Sequence, residues 1–388
     1  MKIEDFFYFG MLKVVSPVVR RYKHKRLLKD SYAHFRTKFM DPHYPWKRYM
    51  KTRNEYFAKW GFDVSDMECI YFEKCSGIHS DIYIPCCIWQ HYIYSYLNQD
   101  AKRFPYSDKN MFQRLLQLDR LSSKLDITLP QTIVSNMCGI YYKNGDTAVT
   151  QEDCVAVLSQ MDEDVIIKPT YESLGGKGIA CVNFGRMDTA SIVEVLGRYG
   201  DNFAIQRKLV QHPVLASFNP TSINTLRIAT YLDFSGNVKV LYAIQRFGKE
   251  GSVVDNASSG GGYCGVTQDG YYMNQIHHHK RIQSEIVEGL PKRVPYYEKC
   301  VKAVTTLHLQ LPQFRIIGWD VTVDPEGHIG LMEYNFSLGY NLPQTSVGPI
   351  FTREELDEIM EHVSKASFSI DVKCKVSHPD RPSNDYYV

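Results

Sequence analysis

Two carboxylates and a carboxamide near the end of the chain are the residues best suited to chemistry: Asp320 in RIIGWDVTV, then Glu333 and Asn335 in GLMEYNFS. Between them two stretches rich in β-formers flank Asp324-Pro325-Glu326-Gly327, a composition that predicts a hairpin turn. Glu333 and Asn335 are two positions apart, so on a strand they face the same side, and the hairpin can bring Asp320 alongside them. Oxygen donors gathered at one point suit Mg²⁺, a hard cation that shares its coordination with substrate phosphates. Alone, the triplet reads as a β-hairpin carrying exposed polar residues. Upstream segments supply what a metal–nucleotide site needs besides.

Lys168 closes the apolar run DVIIKPT, an unusual place for a lysine unless its ammonium meets an anion or reaches solvent. Gly175-Gly176-Lys177-Gly178 follows as a flexible turn. Glycine lets backbone N–H groups approach a phosphate closely, and Lys177 adds charge. The GxxxxGK[ST] spacing of P-loop proteins is absent, and β-hairpins use the same residues, so this turn alone says little. A strand-end lysine, a glycine turn, a later polar strand and a D…E-x-N triplet, in that order, say much more.

These residues need a scaffold of α+β type with mostly antiparallel sheet. Apolar alternation predicts strands in VIIKP, in the segment after the glycine turn, and in NFAIQRKLV, NTLRIATYLDF and VKVLYAIQRF, the last two joined through Ser235-Gly236-Asn237. ITLPQTIVS reads as one strand interrupted at an edge by Pro130. Helices are predicted over 108–118, 188–199, 295–309 and 352–366. Residues 1–105 are aromatic and basic, with helical periodicity over 46–62 and 88–97, and carry no catalytic pattern. The expected division is a mostly helical region over 1–105, two α+β units over 106–212 and 213–370, and a tail over 371–388.

The chain has 388 residues, 44% hydrophobic and 23% charged, with a net charge of +2, so nothing global points to nucleic acid. Residues 20–26 are strongly basic and follow a short apolar stretch over 6–19 that Lys13 interrupts. That stretch is too short and broken to span a bilayer, and Glu4-Asp5 argue against an export signal. The segment suits a peripheral contact with the anionic inner face of a membrane or a solvated basic helix, the latter being the commoner case. With ten cysteines and no export signal, reduced thiols in the cytoplasm are expected. Cys69, Cys75, Cys86 and Cys87 lack zinc-knuckle spacing and read as small buried hydrophobes, the adjacent pair pointing to opposite faces of a strand. His277-His278-His279 reads as a solvated loop rather than a metal site.

VIIKPTYESLGGKGI, AIQRKLVQHP and GWDVTV…GLMEYNFSLG resemble the ATP-grasp superfamily of ATP-dependent ligases. SINTLRIATY, VDNASSGGG, MEYN and Gln344 before GPIF more narrowly resemble the sugar-transfer-associated ATP-grasp proteins, which belong to polysaccharide biosynthesis. The likeness runs over residues 105–365. It implies ATP clasped between two α+β subdomains, with Lys109 and Lys168 on its phosphates and the turn Gly175, Gly176, Lys177, Gly178 closing over them. The segment Gln206, Lys208, Val210 would present backbone groups to adenine, Gln206 standing where the superfamily often has an acidic residue. His212 would touch the ribose or edge, weighed against a structural histidine before Pro213. Asp320, Glu333 and Asn335 match the superfamily's metal ligands, with two Mg²⁺ expected.

The implied reaction has a carboxylate attack the γ-phosphoryl of ATP, after which an amine displaces phosphate from the acyl phosphate. The expected product joins an amino acid or amine to a sugar in surface polysaccharide biosynthesis, the partners being ATP, a carboxylate substrate and an amine acceptor, with a sugar on one of the two. Arg227, assisted by Arg246, is placed on the acyl phosphate or acceptor carboxylate, because a planar guanidinium holds two oxygens at once. Asn224 and the loop Asp255, Asn256, Ser259, Gly260, Gly261 would line the acceptor pocket. The alternatives are a phosphotransferase acting on a sugar and a non-catalytic nucleotide-binding subunit of a glycan assembly complex.

Overall fold

A computed structural model describes residues 52–370, apart from 107, 113–115, 117, 172–175, 256, 258, 259 and 279–283, together with Lys29 and Ala33. The stretch over 6–19, the basic residues 20–26, the tail 371–388 and the positions Gly175, Asn256, Ser259 and His279 lie outside the described residues.

Two sheets organise the described residues. The larger has eight strands in the spatial order Ile127–Thr128, Ile329–Asn335, Ile316–Val323, Leu226–Leu232, Val238–Phe247, Gly262–Val266, Tyr272–His278 and Glu285–Ile286. Every pairing is antiparallel except that of Ile127–Thr128, which runs parallel to Ile329–Asn335. The smaller has six strands in the order Thr147–Val149, Ile140–Lys143, Thr132–Met137, Phe203–Arg207, Val165–Pro169 and Ala180–Val182, antiparallel throughout. Strand alternation sorts the side chains of each sheet onto two faces.

On the larger sheet Ile228, Ala243, Ile317, Trp319 and Val321 point to one face and are buried with the Tyr297–His308 helix. Ala229, Tyr231, Tyr242 and Ile244 point to the other and are buried with residues 56–97 and the Arg353–Ile370 helix. Ile316–Val323 is therefore buried along its whole length. In the smaller sheet Val165 and Ile167 join a core under the Gln151–Ser159 and Thr189–Tyr199 helices, which leaves Ile166 and Lys168 on the opposite face. Among the described residues no helix is long and apolar enough to cross a membrane.

Several local expectations change. The stretch around Pro130 is not one strand: Ile127–Thr128 belongs to the larger sheet and Thr132–Met137 to the smaller, with Pro130 in the crossing between them. Proline cannot donate to a ladder, so a break between sheets suits it better than a strand edge. Cys86 and Cys87 open a helix that continues through a π turn at Trp89–Tyr94 to Leu97. Both are buried, as are Cys69 and Cys75, so the reading of small hydrophobes holds on a different element. The helix expected over 108–118 begins as a short 3₁₀ turn, Lys109–Met111, with the Asp108 carboxylate accepting from Asn110 N–H at 2.9 Å. The strand at Phe203 ends at Arg207, leaving Lys208 and Val210 beyond it. His277 and His278 close the strand Tyr272–His278. His277 is buried against the Tyr263 ring, with centroids 5.5 Å apart, because aromatic partners on the facing strand outweigh the polar cue of three histidines.

Candidate active site

The register of the larger sheet gathers the predicted residues. Asp320 lies opposite Glu333 on one neighbouring strand and opposite Arg227 on the other, while Asn335 lies opposite Gly318. Directly paired residues share a face, so all four point to the side covered by the N-terminal region. Gly318 keeps that surface low: a Cβ there would meet Leu338 at 2.3 Å.

Arg227 grips both Asp320 oxygens, Nη2 donating to Oδ2 at 2.6 Å and Nε donating to Oδ1. Arg246 donates to the same Oδ2 at 3.3 Å and to Asp255 at 3.2 Å. Asp255 is itself fixed by the N–H and hydroxyl of Thr225, so it orients Arg246. Asn335 donates Nδ2 to Asp320 and to Glu333, each at 3.4 Å. From the 3₁₀ turn Lys109–Met111, Lys109 reaches Glu333, Nζ to Oε2 3.1 Å. The turn bearing Lys109 is docked beside Lys168, its backbone N–H bonding Thr170 O at 3.0 Å and Asn110 bonding the Thr170 hydroxyl at 3.1 Å.

Charge is unevenly matched here. Lys109, Lys168, Arg227 and Arg246 surround Asp320, Glu333 and Asp255, and no carboxylate pairs with the Lys168 ammonium among the described residues. Burial lowers Lys168 to about 8, helped by the like charge of Lys109 and opposed by Glu333. Burial pushes Asp320 up, against the pull of Arg227 and Arg246. Glu333 is also pushed up by burial, but Lys109, Arg227 and Lys168 outweigh it and hold the carboxyl well below its usual range. Burial acts to lower Arg227, and the facing Asp320 more than reverses that. A half-buried ammonium without a counterion, beside an excess of cations, is arranged for a polyanion.

The remaining predicted residues fall in different places. Gln206 shares the open face of the smaller sheet with Lys168 and donates to the Thr132 hydroxyl at 2.9 Å. Lys208 pairs with Asp164 at 3.2 Å, and Val210 is 66% exposed. His212 uses Nδ1 to accept Val214 N–H at 3.1 Å, capping Pro213–Ala216 as the structural alternative requires. Gly176 and Gly178 have φ of 74° and lie in the left-handed region, with Lys177 between them. A Cβ on Gly176 would sit 3.3 Å from Val254, so this turn overhangs the loop that carries Asp255. Gly260 and Gly261 lead into the strand Gly262–Val266.

Asn224 corrects an expectation. It is fully buried, its Nδ2 donating to Leu215 O at 2.8 Å and Asn219 O at 2.7 Å and its Oδ1 accepting from Ser222 at 2.7 Å, so its polar atoms hold the chain before Arg227 and none is left for a substrate. The sequence reading also passed over Thr225, which fixes Asp255, and Tyr242, whose buried phenol lies near Arg227 and Asp320. The only local signal for Tyr242 is its even spacing from Arg246.

Asp320, Glu333 and Asn335 fit a hard cation. Two are carboxylates, and turning the Asn335 amide over presents its oxygen to the point its nitrogen now reaches.

The profile of the sugar-transfer associated ATP-grasp family matches residues 90–360. No curated protein matches the chain in sequence. Among solved structures, VanG D-Ala:D-Ser ligase from Enterococcus faecalis is similar at 13% identity and a TM-score of 0.40, over 70% of this chain and 63% of that one. N5-carboxyaminoimidazole ribonucleotide synthetase in its ADP complex is similar at 10% identity and 0.35, over 60% and 46%. The ATP-grasp ligase PsnB, complexed with minimal precursor, Mg and ADP, is similar at 13% and 0.33, over 66% and 59%. This chain thus spans between 46% and 63% of the length of these proteins. The family assignment rests on the profile match, which takes in Lys109, Lys168, Arg227, Asp320, Glu333 and Asn335 alike: the chain belongs to the sugar-transfer associated ATP-grasp family.

Proposed function

We propose that the protein is an ATP-dependent, ADP-forming ligase that joins a carboxylate to an amine, one of them sugar-linked, in surface polysaccharide biosynthesis. The observation that carries this reading is the Lys168 ammonium, unpaired among the described residues, beside Lys109 and facing Glu333 across the two sheets. Residues 106–212 would hold the nucleotide with Lys109, Lys168, the glycine turn and the backbone after Gln206, and residues 213–370 would carry the reacting groups.

Asp320, Glu333 and Asn335 would hold Mg²⁺, two ions being expected, which supplies charge compensation to the transferred phosphoryl group. The substrate carboxylate attacks the γ-phosphorus of ATP, the bond to the bridging oxygen breaks, and ADP leaves. An acyl phosphate results. The amine then attacks the acyl carbon, phosphate departs and the nitrogen loses a proton. Arg227 and Arg246 would release part of their hold on Asp320 as the carboxylate or acyl phosphate enters, a planar fork being suited to either. Asp255 and Thr225 would keep Arg246 aimed throughout.

The test is ADP release by the purified protein with Mg-ATP against sugar acids, amino sugars and amino acids. Release that requires both a carboxylate and an amine, with hydroxylamine trapping the activated acid, supports a ligase. Release with a sugar alone and no trapped product replaces it with a phosphotransferase, and no release with any pair leaves a nucleotide-binding subunit.

A further inference from the structure

The hairpin bearing Asp320, Glu333 and Asn335 runs out of ladder at its open end, since the last pair between its strands is Gly318 with Asn335. Ile316 and Phe336 lie just past that pair and are buried, so their backbone groups need other partners. One side chain supplies them for both groups of Ile316 and for the Phe336 carbonyl. Asn98, fully buried at the end of the Cys86–Leu97 helical segment, donates Nδ2 to Ile316 O at 2.6 Å and to Phe336 O at 3.3 Å. Its Oδ1 accepts from Arg315 N–H at 3.0 Å and Ile316 N–H at 3.1 Å. Nearby, Trp89 donates Nε1 to Leu338 O at 3.1 Å.

We propose that Asn98 is a positioning residue for the metal-binding hairpin, its carboxamide standing in for the missing ladder bonds and holding both strands in the register that makes the three oxygen donors converge. This rests on the reading of Asp320, Glu333 and Asn335 as metal ligands. Register carries the function because a slip of one residue turns a strand's side chains to the opposite face and would withdraw Asp320 from Glu333. A bulge already lies between Asp320 and Val321, so the ladder beyond Asp320 is a poor guide to that register. The clamp sits on the opposite side, nearest Asn335. It also gives the N-terminal region a share in the site, through a residue that touches no substrate.

The test is Mn²⁺ binding in the presence of ATP, followed by the spin-resonance signal of the free ion, in the full chain and its variants. Asn98→Asp keeps the acceptor oxygen and loses the donors, and Asn98→Ala loses both. Asn54→Ala is the control: Asn54 is also buried, caps Glu55–Ala58 and contacts Cys69, but touches neither hairpin strand. Both Asn98 variants should weaken Mn²⁺ binding on the order of tenfold, as loss of a residue supporting metal ligands does. Asn54→Ala should lower the melting temperature and leave Mn²⁺ binding unchanged. Unchanged binding in folded Asn98 variants overturns the proposal while the site reading stands. No Mn²⁺ uptake by the parent chain overturns the site reading itself. Failure of both Asn98 variants to fold, or equal weakening in Asn54→Ala, makes Asn98 a core residue only and overturns the proposal.

Discussion

Arg227 and Asp320 stand opposite each other on adjacent strands, and the guanidinium fork takes both oxygens of a carboxylate that is almost wholly buried. Each favours the charged form of the other against a burial that disfavours both. Substitution should therefore separate stability from chemistry in a recognisable way.

Arg227→Lys keeps the charge and loses the fork. ADP release should fall on the order of 10²-fold, the scale of losing one preorganised electrostatic donor, while the ATP-induced rise in melting temperature persists. An equal loss of that rise would put Arg227 on the triphosphate instead of the acceptor.

Asp320→Asn and Glu333→Gln should both abolish ADP release, with different costs to the fold. The Asp320 side chain is 5% exposed and its removal strands Arg227, so a loss of about 3 kcal/mol is expected in denaturant unfolding. Glu333 is 30% exposed, and its loss should cost about 1 kcal/mol or less. Near-normal turnover in Glu333→Gln would remove it from the metal site.

Lys168 titrates at about 8, below its ordinary 10.5. Its folded form thus resists protonation, and the ammonium that would bind phosphate is present only below that pH. ATP affinity measured by calorimetry should weaken as pH rises through 8, with proton uptake on binding near pH 8. Lys168→Arg, which stays charged, should remove that dependence, and Lys168→Ala should suppress the ATP-induced thermal shift. A flat profile from pH 7 to 9.5 would move the phosphates away from Lys168.

Two buried histidines give the fold its own acid response. Burial lowers both His277 and His308 to about 4 from 6.5. Both are neutral when folded and protonate on unfolding, so their stabilising contribution is complete above 6.5 and is lost progressively as pH falls towards 4. Each should account for up to about 3 kcal/mol across that window. Melting temperatures of His277→Phe against the parent between pH 7 and 4 check this: the variant should lose less stability on acidification.

Local pattern determined a good deal. The hairpin over 316–335, the lysine closing Val165–Pro169 and the long strands Leu226–Leu232 and Val238–Phe247 follow from alternation and turn composition, and the alternation alone puts Glu333 and Asn335 on one side. The tertiary structure decided what lies across from what. Only strand order makes Arg227 the neighbour of Asp320, and only the meeting of the two sheets brings Lys109 to Glu333. Asn224 and His277 show the same limit, a polar loop residue consumed by backbone carbonyls and a histidine buried on an aromatic ring. Pro130 stops a strand in sequence, but which sheet each half joins depends on partners more than sixty residues away. Turn chemistry and side-chain period act over a few residues, whereas ion pairing and burial are set by surfaces that exist only once distant segments have packed.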